Sequence, residues 1–234
     1  MHFLGSDIIR TNVYIDGFNL YYGCLKGSPH KWLNLEKLFD ALLPENTVQT
    51  IHYFTARVEA RPNDIELPVR QATYLRALAT LPRVRIHFGS FMTSTARAPV
   101  VECQPDGKPR MQNNRPVLKL RPNGGVLMEM VQKVEEKGSD VNLAANLLSD
   151  AFQKRCECAV VVSNDSDLLT PIRMAKEECR TTVGLVLPRD KGSAQLRRLS
   201  DFQKPMRTHH LVDAQFEKRL ADSAGTITKP GSWR

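Results

Sequence analysis

Two hydrophobic rhythms alternate along this chain of 234 residues. Short apolar runs bounded by polar residues, such as Val13-Tyr14-Ile15 and Ala159-Val160-Val161-Val162, read as strands buried on both faces, the form expected inside a parallel sheet. Between such runs lie segments with apolar residues every three or four positions, the signature of helices lying on a core. The pattern predicts strands over 12–16, 48–55, 84–88 and 182–187, besides the run at 159–162. It predicts helices over 35–43, ended by Pro44, and over 68–80, with Pro68 in the first turn and Val69, Ala72, Leu75 and Leu78 facing inward. A helix over 168–179 and a short one capped by Ser193, carrying Leu196 and Leu199, follow. Residues 211–234 read as a helix and a tail held down by Trp233. Alternation of this kind predicts an α/β layered domain with a mainly parallel central sheet.

The least regular stretch runs from Gly89 to Gly125, where five prolines exclude a long helix. Pro105-Asp106-Gly107-Lys108 is a turn signal, so a hairpin-like insertion is expected over about residues 90–122. It carries Arg97, Lys108, Arg110, Arg115, Lys119 and Arg121 against Glu102 and Asp106. Residues 126–137 read as an extended return strand entering a helix at Gly138-Ser139-Asp140. The expected organisation is a domain over 1–210 with this insertion, and a segment 211–234 packed on it.

Two of the buried runs deliver acids just past their carboxyl ends, where open α/β sheets bind ligands: Asp16 after the first, Asp165 and Asp167 after the run ending in Val162-Ser163-Asn164. Carboxylates gathered in one crevice repel one another unless a cation lies among them, and hard cations prefer oxygen ligands. Mg²⁺ or Mn²⁺ is therefore expected. On a helical wheel at about 100° per residue, Asp140 falls amid Leu143, Ala144, Leu147, Leu148 and Ala151, toward the sheet. An unpaired carboxylate is costly to bury there, which makes it a fourth ligand candidate. Each acid also has a plainer reading: a helix cap for Asp140, an Asx-turn for Asp165-Ser166-Asp167, a turn residue for Asp16.

Charge and cysteines narrow the function. The formal net charge is +8 despite the acidic crevice, which suits a metal-dependent enzyme acting on a polyanion. No apolar run reaches the roughly 18 residues of a membrane span, and residues 1–10 lack a signal-peptide core, so a cytoplasmic protein is expected, without membrane partners. The five cysteines are scattered, which suits reduced thiols, and Cys156-Glu157-Cys158 has no second pair or nearby His to make a zinc site. His52, His87, His209 and His210 read as structural. Phe18, Tyr21 and Tyr22 read as packing residues of the first helix, with base stacking as the alternative.

Three segments, in order, carry a resemblance. Val13-Tyr14-Ile15-Asp16-Gly17-Phe18-Asn19-Leu20, Lys137-Gly138-Ser139-Asp140-Val141-Asn142-Leu143-Ala144 and Val161-Val162-Ser163-Asn164-Asp165-Ser166-Asp167-Leu168 resemble the NYN family of PIN-like nucleases, the LabA-like group in particular. The resemblance implies a Rossmann-like (PIN-like) three-layer sandwich and a divalent-metal-dependent ribonuclease leaving 5′-phosphate and 3′-hydroxyl ends. It implies Asp16, Asp140, Asp165 and Asp167 as metal ligands, with Asn19 and Ser163 supporting them or contacting phosphate. Asn164 stands where many members have Gly. The implied partner is RNA, with DNA as a second candidate polymer, and the chain a monomer or homodimer.

A non-catalytic RNA-binding regulator with the same fold is the competing class. A haloacid-dehalogenase-type phosphatase is disfavoured because its D-x-D follows the first core strand, where this chain has Asp16-Gly17-Phe18. No G-x-G-x-x-G or G-x-x-x-x-G-K-[ST] supports a nucleotide-binding Rossmann enzyme.

Overall fold

Six apolar runs pair side by side in one sheet of the computed structural model, which describes residues 9–188 and 192–233. Residues 1–8, read above for a leader, lie outside them. In chain order the strands are β1 (Ile9–Asp16), β2 (Asn46–Thr55), β3 (Val84–Phe88), β4 (Ser90–Pro99), β5 (Met128–Lys137), β6 (Cys158–Val162), β7 (Thr182–Leu187) and β8 (Phe202–Pro205). The sheet runs β8-β7-β6-β1-β2-β3, with every ladder parallel. Starting from β1, the chain first builds outward through β2 and β3, then returns to β6 on the other side and builds outward again. The order therefore reverses between β1 and β6, the point where a crevice opens at the carboxyl ends of the strands.

The helices are α1 (Gly17–Leu20), α2 (Leu35–Leu42), α3 (Leu67–Ala79), α4 (Ser139–Phe152), α5 (Leu169–Glu177), α6 (Ala194–Leu199) and α7 (Thr208–Asp213). Period-two alternation of the strands sorts the core into two layers. Val13, Ile15, Ile51, Tyr53, Val160 and Val162 face α2, α3 and α7, while Tyr14, Phe54, Ala159, Val161, Val183 and Leu185 face α4, α5 and α6. The result is the expected α/β three-layer sandwich. Six parallel strands also explain why β6 is buried at all five positions.

Two helical expectations shift. On α3 the buried face is Tyr74, Leu75, Ala77 and Leu78, with Val69 57% exposed, because the aromatic ring of Tyr74 sets the contact with Trp32 and Tyr53. At the C-terminal end the helix stops at Asp213. There follows an antiparallel hairpin, β9 (Arg219–Asp222) and β10 (Gly225–Thr228), tied to α3 by Arg76 bonded to Asp222 at 2.8 Å. Trp233 packs edge-on against Trp32 and Tyr74, at 6.2 and 6.0 Å between centroids.

Residues 91–136 form a second compact unit, described by itself; the first comprises 1–90 and 137–234. In the second, β4 pairs with β5, and Met111-Gln112 folds back on Arg115-Pro116 through Asn113-Asn114, both at positive φ as a tight hairpin turn requires. Lys108 pairs with Asp106 at 2.9 Å and Arg110 with Glu102 at 2.8 Å. Arg97, Arg115, Lys119 and Arg121 have no ion-pair partner among the described residues.

Under α4 lies a polar network that the chain pattern did not single out. Asp150, 3% exposed, accepts hydrogen bonds at Oδ2 from Asn12 Nδ2 (3.0 Å) and the Tyr14 hydroxyl (2.8 Å), and at Oδ1 from Arg155 (3.0 Å). His52 Nε2 lies 3.3 Å from Oδ2, and His52 Nδ1 meets His87 Nε2 at 2.9 Å. Burial opposes the ionised form of Asp150, but the bonds from His52, Tyr14 and Arg155 outweigh it and hold the carboxyl well below its usual range. Burial and the neighbouring His52 hold the His87 imidazole below its usual value.

Both shifts make stability fall on acidification. A His87 that prefers to be neutral when folded loses stability as pH drops below about 6.5, and a depressed Asp150 loses it below about 4. Urea unfolding should therefore show falling stability from pH 7 to 3, with the loss below pH 4 smaller in Asp150→Asn. Asp150→Ala, which leaves His52 and Arg155 without their acceptor, should cost about 3–5 kcal/mol at pH 7.

Candidate active site

The carboxyl ends of β1 and β6 converge on one side chain. Asp16 ends β1, caps α1 and is 4% exposed. Its Oδ1 accepts the backbone N–H of Asn19 at 2.9 Å, as an N-cap does. Its Oδ2 accepts the Asn19 side-chain amide and the Ser163 hydroxyl, the latter at 3.2 Å. From β6 the links continue: the Asn164 N–H donates to Asn19 Oδ1 at 3.3 Å, and the Asp165 N–H to Ser163 Oγ at 3.0 Å. Asp165 Oδ1 accepts the N–H of Asp167 at 3.0 Å and so opens the next helical turn. Asp16, Asn19, Ser163, Asn164, Asp165 and Asp167 thus form one hydrogen-bonded chain across the switch point.

Electrostatics in this cluster point the same way. Burial pushes the Asp16 carboxyl above its usual value; the bonds from Asn19 and Ser163 pull it down, and the Asp165 charge pushes it up. An acid that is buried, bonded and repelled by a neighbouring acid favours a cation beside it. Asn164 adds to this, because neither its Oδ1 nor its Nδ2, both buried, has a hydrogen-bond partner among the described residues. Such orphaned polar atoms are costly unless a ligand or water satisfies them.

The remaining acids are placed less centrally. Asp165 is half-buried and Asp167 exposed. Asp140 lies in the first turn of α4 but is not its cap; Gly138 takes that position at φ +97°, a backbone region glycine enters freely. The buried face of α4 runs through Leu143, Leu147, Asp150 and Ala151, which leaves Asp140 half-buried on its shoulder. Among the described residues no three His, Cys, Asp or Glu side chains approach closely enough to hold a metal ion between them. Hard-cation chemistry does not demand three: Mg²⁺ keeps several waters and commonly takes one or two protein carboxylates together with substrate phosphate. Asp16 and Asp165 fit that donor set.

The cysteines supply no competing site. All five are free, and Cys156 and Cys158 are buried thiols, the latter pushed up to about 11 chiefly by burial.

An NYN domain model matches residues 106–204, which include Asp140, Asp165 and Asp167. The chain is 30% identical over 256 aligned residues to the 6-hydroxy-3-succinoylpyridine 3-monooxygenase HspA of Pseudomonas putida strain S16, covering 98% of this chain and 77% of that one. In three dimensions it is similar to a crystal structure of a Vibrio parahaemolyticus protein of unknown function, with a TM-score of 0.54, 14% identity, and coverage of 91% of this chain and 100% of that one. The last likeness shows the fold. The protein belongs to one family with the Pseudomonas putida relative, and its residues 106–204 carry an NYN domain.

Gly17 is closely packed against β2. A Cβ there would meet the Phe54 carbonyl oxygen and the Tyr53 ring carbon Cζ, each at 2.7 Å. Because backbone is among the obstacles, Gly17→Ala should cost about 1–3 kcal/mol in urea unfolding, as overpacking does.

Proposed function

We propose that the protein is a divalent-metal-dependent ribonuclease of the LabA-like type, acting through Asp16, Asp165, Asp167 and Asp140. The observation that carries this reading is the buried Asp16 carboxylate, bonded to Asn19 and Ser163 and facing the charge of Asp165 at the switch point of the sheet. Asp16 and Asp165 would hold Mg²⁺ or Mn²⁺, with Asp140 and Asp167 acting through its water shell. When bound, the ion supplies an activated water and charge stabilisation for phosphodiester hydrolysis. Asn19 and Ser163 orient Asp16. The basic side chains of the second unit, Arg97, Arg115, Lys119 and Arg121, supply attraction to a polyanion.

The name of the Pseudomonas putida relative supports a second reading, hydroxylation of a pyridine-type acid. The absence of a G-x-G-x-x-G fingerprint gives that reading no dinucleotide site in the sequence. Oxygen and NADH consumption with an aromatic acid as substrate would favour it over hydrolysis.

Incubation with total RNA and Mn²⁺ should yield new 5′-phosphate ends that EDTA prevents, and Asp16→Asn or Asp165→Asn should lower the rate by about 100-fold or more. Undiminished cleavage by the double variant overturns the assignment. Mn²⁺ should also raise the melting temperature of the wild-type protein and not of the double variant. Replacing Arg97, Arg115 and Lys119 with Ala should reduce the salt slope of RNA binding by about 2, at roughly 0.7 per single-strand phosphate contact. An unaltered slope removes the second unit from RNA binding.

A further inference from the structure

Beside Asp16 opens a cavity of about 490 Å³, lying wholly within the first unit. Its walls are aromatic, with Phe18, Tyr21 and Tyr22 after β1, Tyr53 at the end of β2, and Tyr74 and Trp233 beyond them. Its charge is one-sided: Lys26, Lys31, Arg61 and Arg70 line it against a single acid, Asp64. Asp64 is neutralised by Arg70 at 2.6 Å. Lys26, Lys31 and Arg61 have no ion-pair partner among the described residues, with Lys31 Nζ donating to the Ser28 carbonyl at 2.7 Å.

Their arrangement suits an aromatic anion. The Lys26 ammonium sits over the Tyr22 ring, 4.9 Å from its centroid, and Tyr22 is 41% exposed, so aromatic surface and positive charge stand together at the cavity wall. Lys31 is held below its usual value by burial and by repulsion from Arg70 and Lys229, an arrangement that an incoming anion would relieve. The volume falls within the range of pockets that enclose drug-sized ligands, about 300–1,000 Å³.

Position ties the cavity to the acids. Gly17, the residue after Asp16, lines it, and the Tyr53 hydroxyl lies 2.8 Å from where a Gly17 Cβ would stand. Asp16 in turn helps to push the Tyr53 phenol up, after burial. Asp16 thus directly precedes a lining residue of the cavity in the chain.

We infer that this cavity seats one nucleotide of the substrate strand, its base between Tyr22 and the aromatic wall and its phosphate on Lys26, Lys31 and Arg61. The inference rests on the ribonuclease reading above and gives it a base-binding subsite. Base stacking on aromatic side chains contributes to single-strand binding without demanding a sequence, and Arg and Lys complete the phosphate contact.

The test is binding to the full chain in EDTA, so that no hydrolysis occurs, read by Trp fluorescence or calorimetry. Three probes are titrated: AMP, ribose 5-phosphate and benzoate. AMP should bind saturably and at least tenfold more tightly than either other probe, and it should displace a short labelled oligoribonucleotide. Tyr22→Ala and Arg61→Ala, both at exposed side chains, should each weaken AMP at least fivefold with unchanged circular dichroism, while Tyr22→Phe retains it. Equal affinity for AMP and ribose 5-phosphate, tighter binding of benzoate, unaltered AMP binding in both alanine variants, or failure to displace the oligonucleotide overturns the subsite. Selective AMP binding by a wild-type protein that cuts no RNA would sustain the pocket and overturn the nuclease reading alone.

Discussion

A carboxylate cannot leave water without partners, and the ends of β1 and β6 are organised around that requirement at Asp16. The two strands are neighbours in the sheet, with Ile15 opposite Val162, so the residues that follow each strand emerge side by side. From one side comes Asn19, on the first turn that Asp16 itself caps; from the other comes Ser163. The reversal of strand order lets both segments occupy this point, because no crossover helix covers the carboxyl ends between β1 and β6. Every candidate chemical role depends on this junction, from the metal ligands to the cavity that begins at Gly17.

The same sheet solves the problem of a buried acid a second time and to a different end. Asp150 projects from α4 onto Asn12, Tyr14 and His52 of β1 and β2, and its acceptor sites are taken by protein donors. Such a satisfied carboxylate secures a helix to a sheet. Asp16 keeps a charged neighbour in Asp165 and, beside it, an Asn164 amide without a hydrogen-bond partner among the described residues, which is how its surroundings differ from those of Asp150.

Strand positions were legible because a parallel sheet buries both faces of its strands, so the runs around Val13 and Val160 carry few polar residues. The acids following them were legible for the same reason, standing at the first polar positions after each run. Asp150 was not, since one acid in an amphipathic helix reads as solvated until its partners on distant strands are known. The α3 face was misread for a related reason: Val69 and Ala72 fit a helical period, but Tyr74 is larger and its contacts with Trp32 and Tyr53 set the rotation. In residues 211–234 short β9 and β10 were hidden, because a hairpin of two four-residue strands gains its stability from packing on α3 rather than from its own pattern.

By itself the sequence determined the layered α/β class, the parallel strands, the acids at their ends and the excess of positive charge. These are properties of local periodicity and composition, which need no knowledge of what lies opposite. Tertiary structure alone decided which acid is central, which is merely paired, and where an aromatic and basic pocket lies beside them. Those outcomes depend on contacts between residues far apart in the chain, such as Asp16 with Ser163 and Asp150 with Tyr14, and burial there sets the cost of each charge.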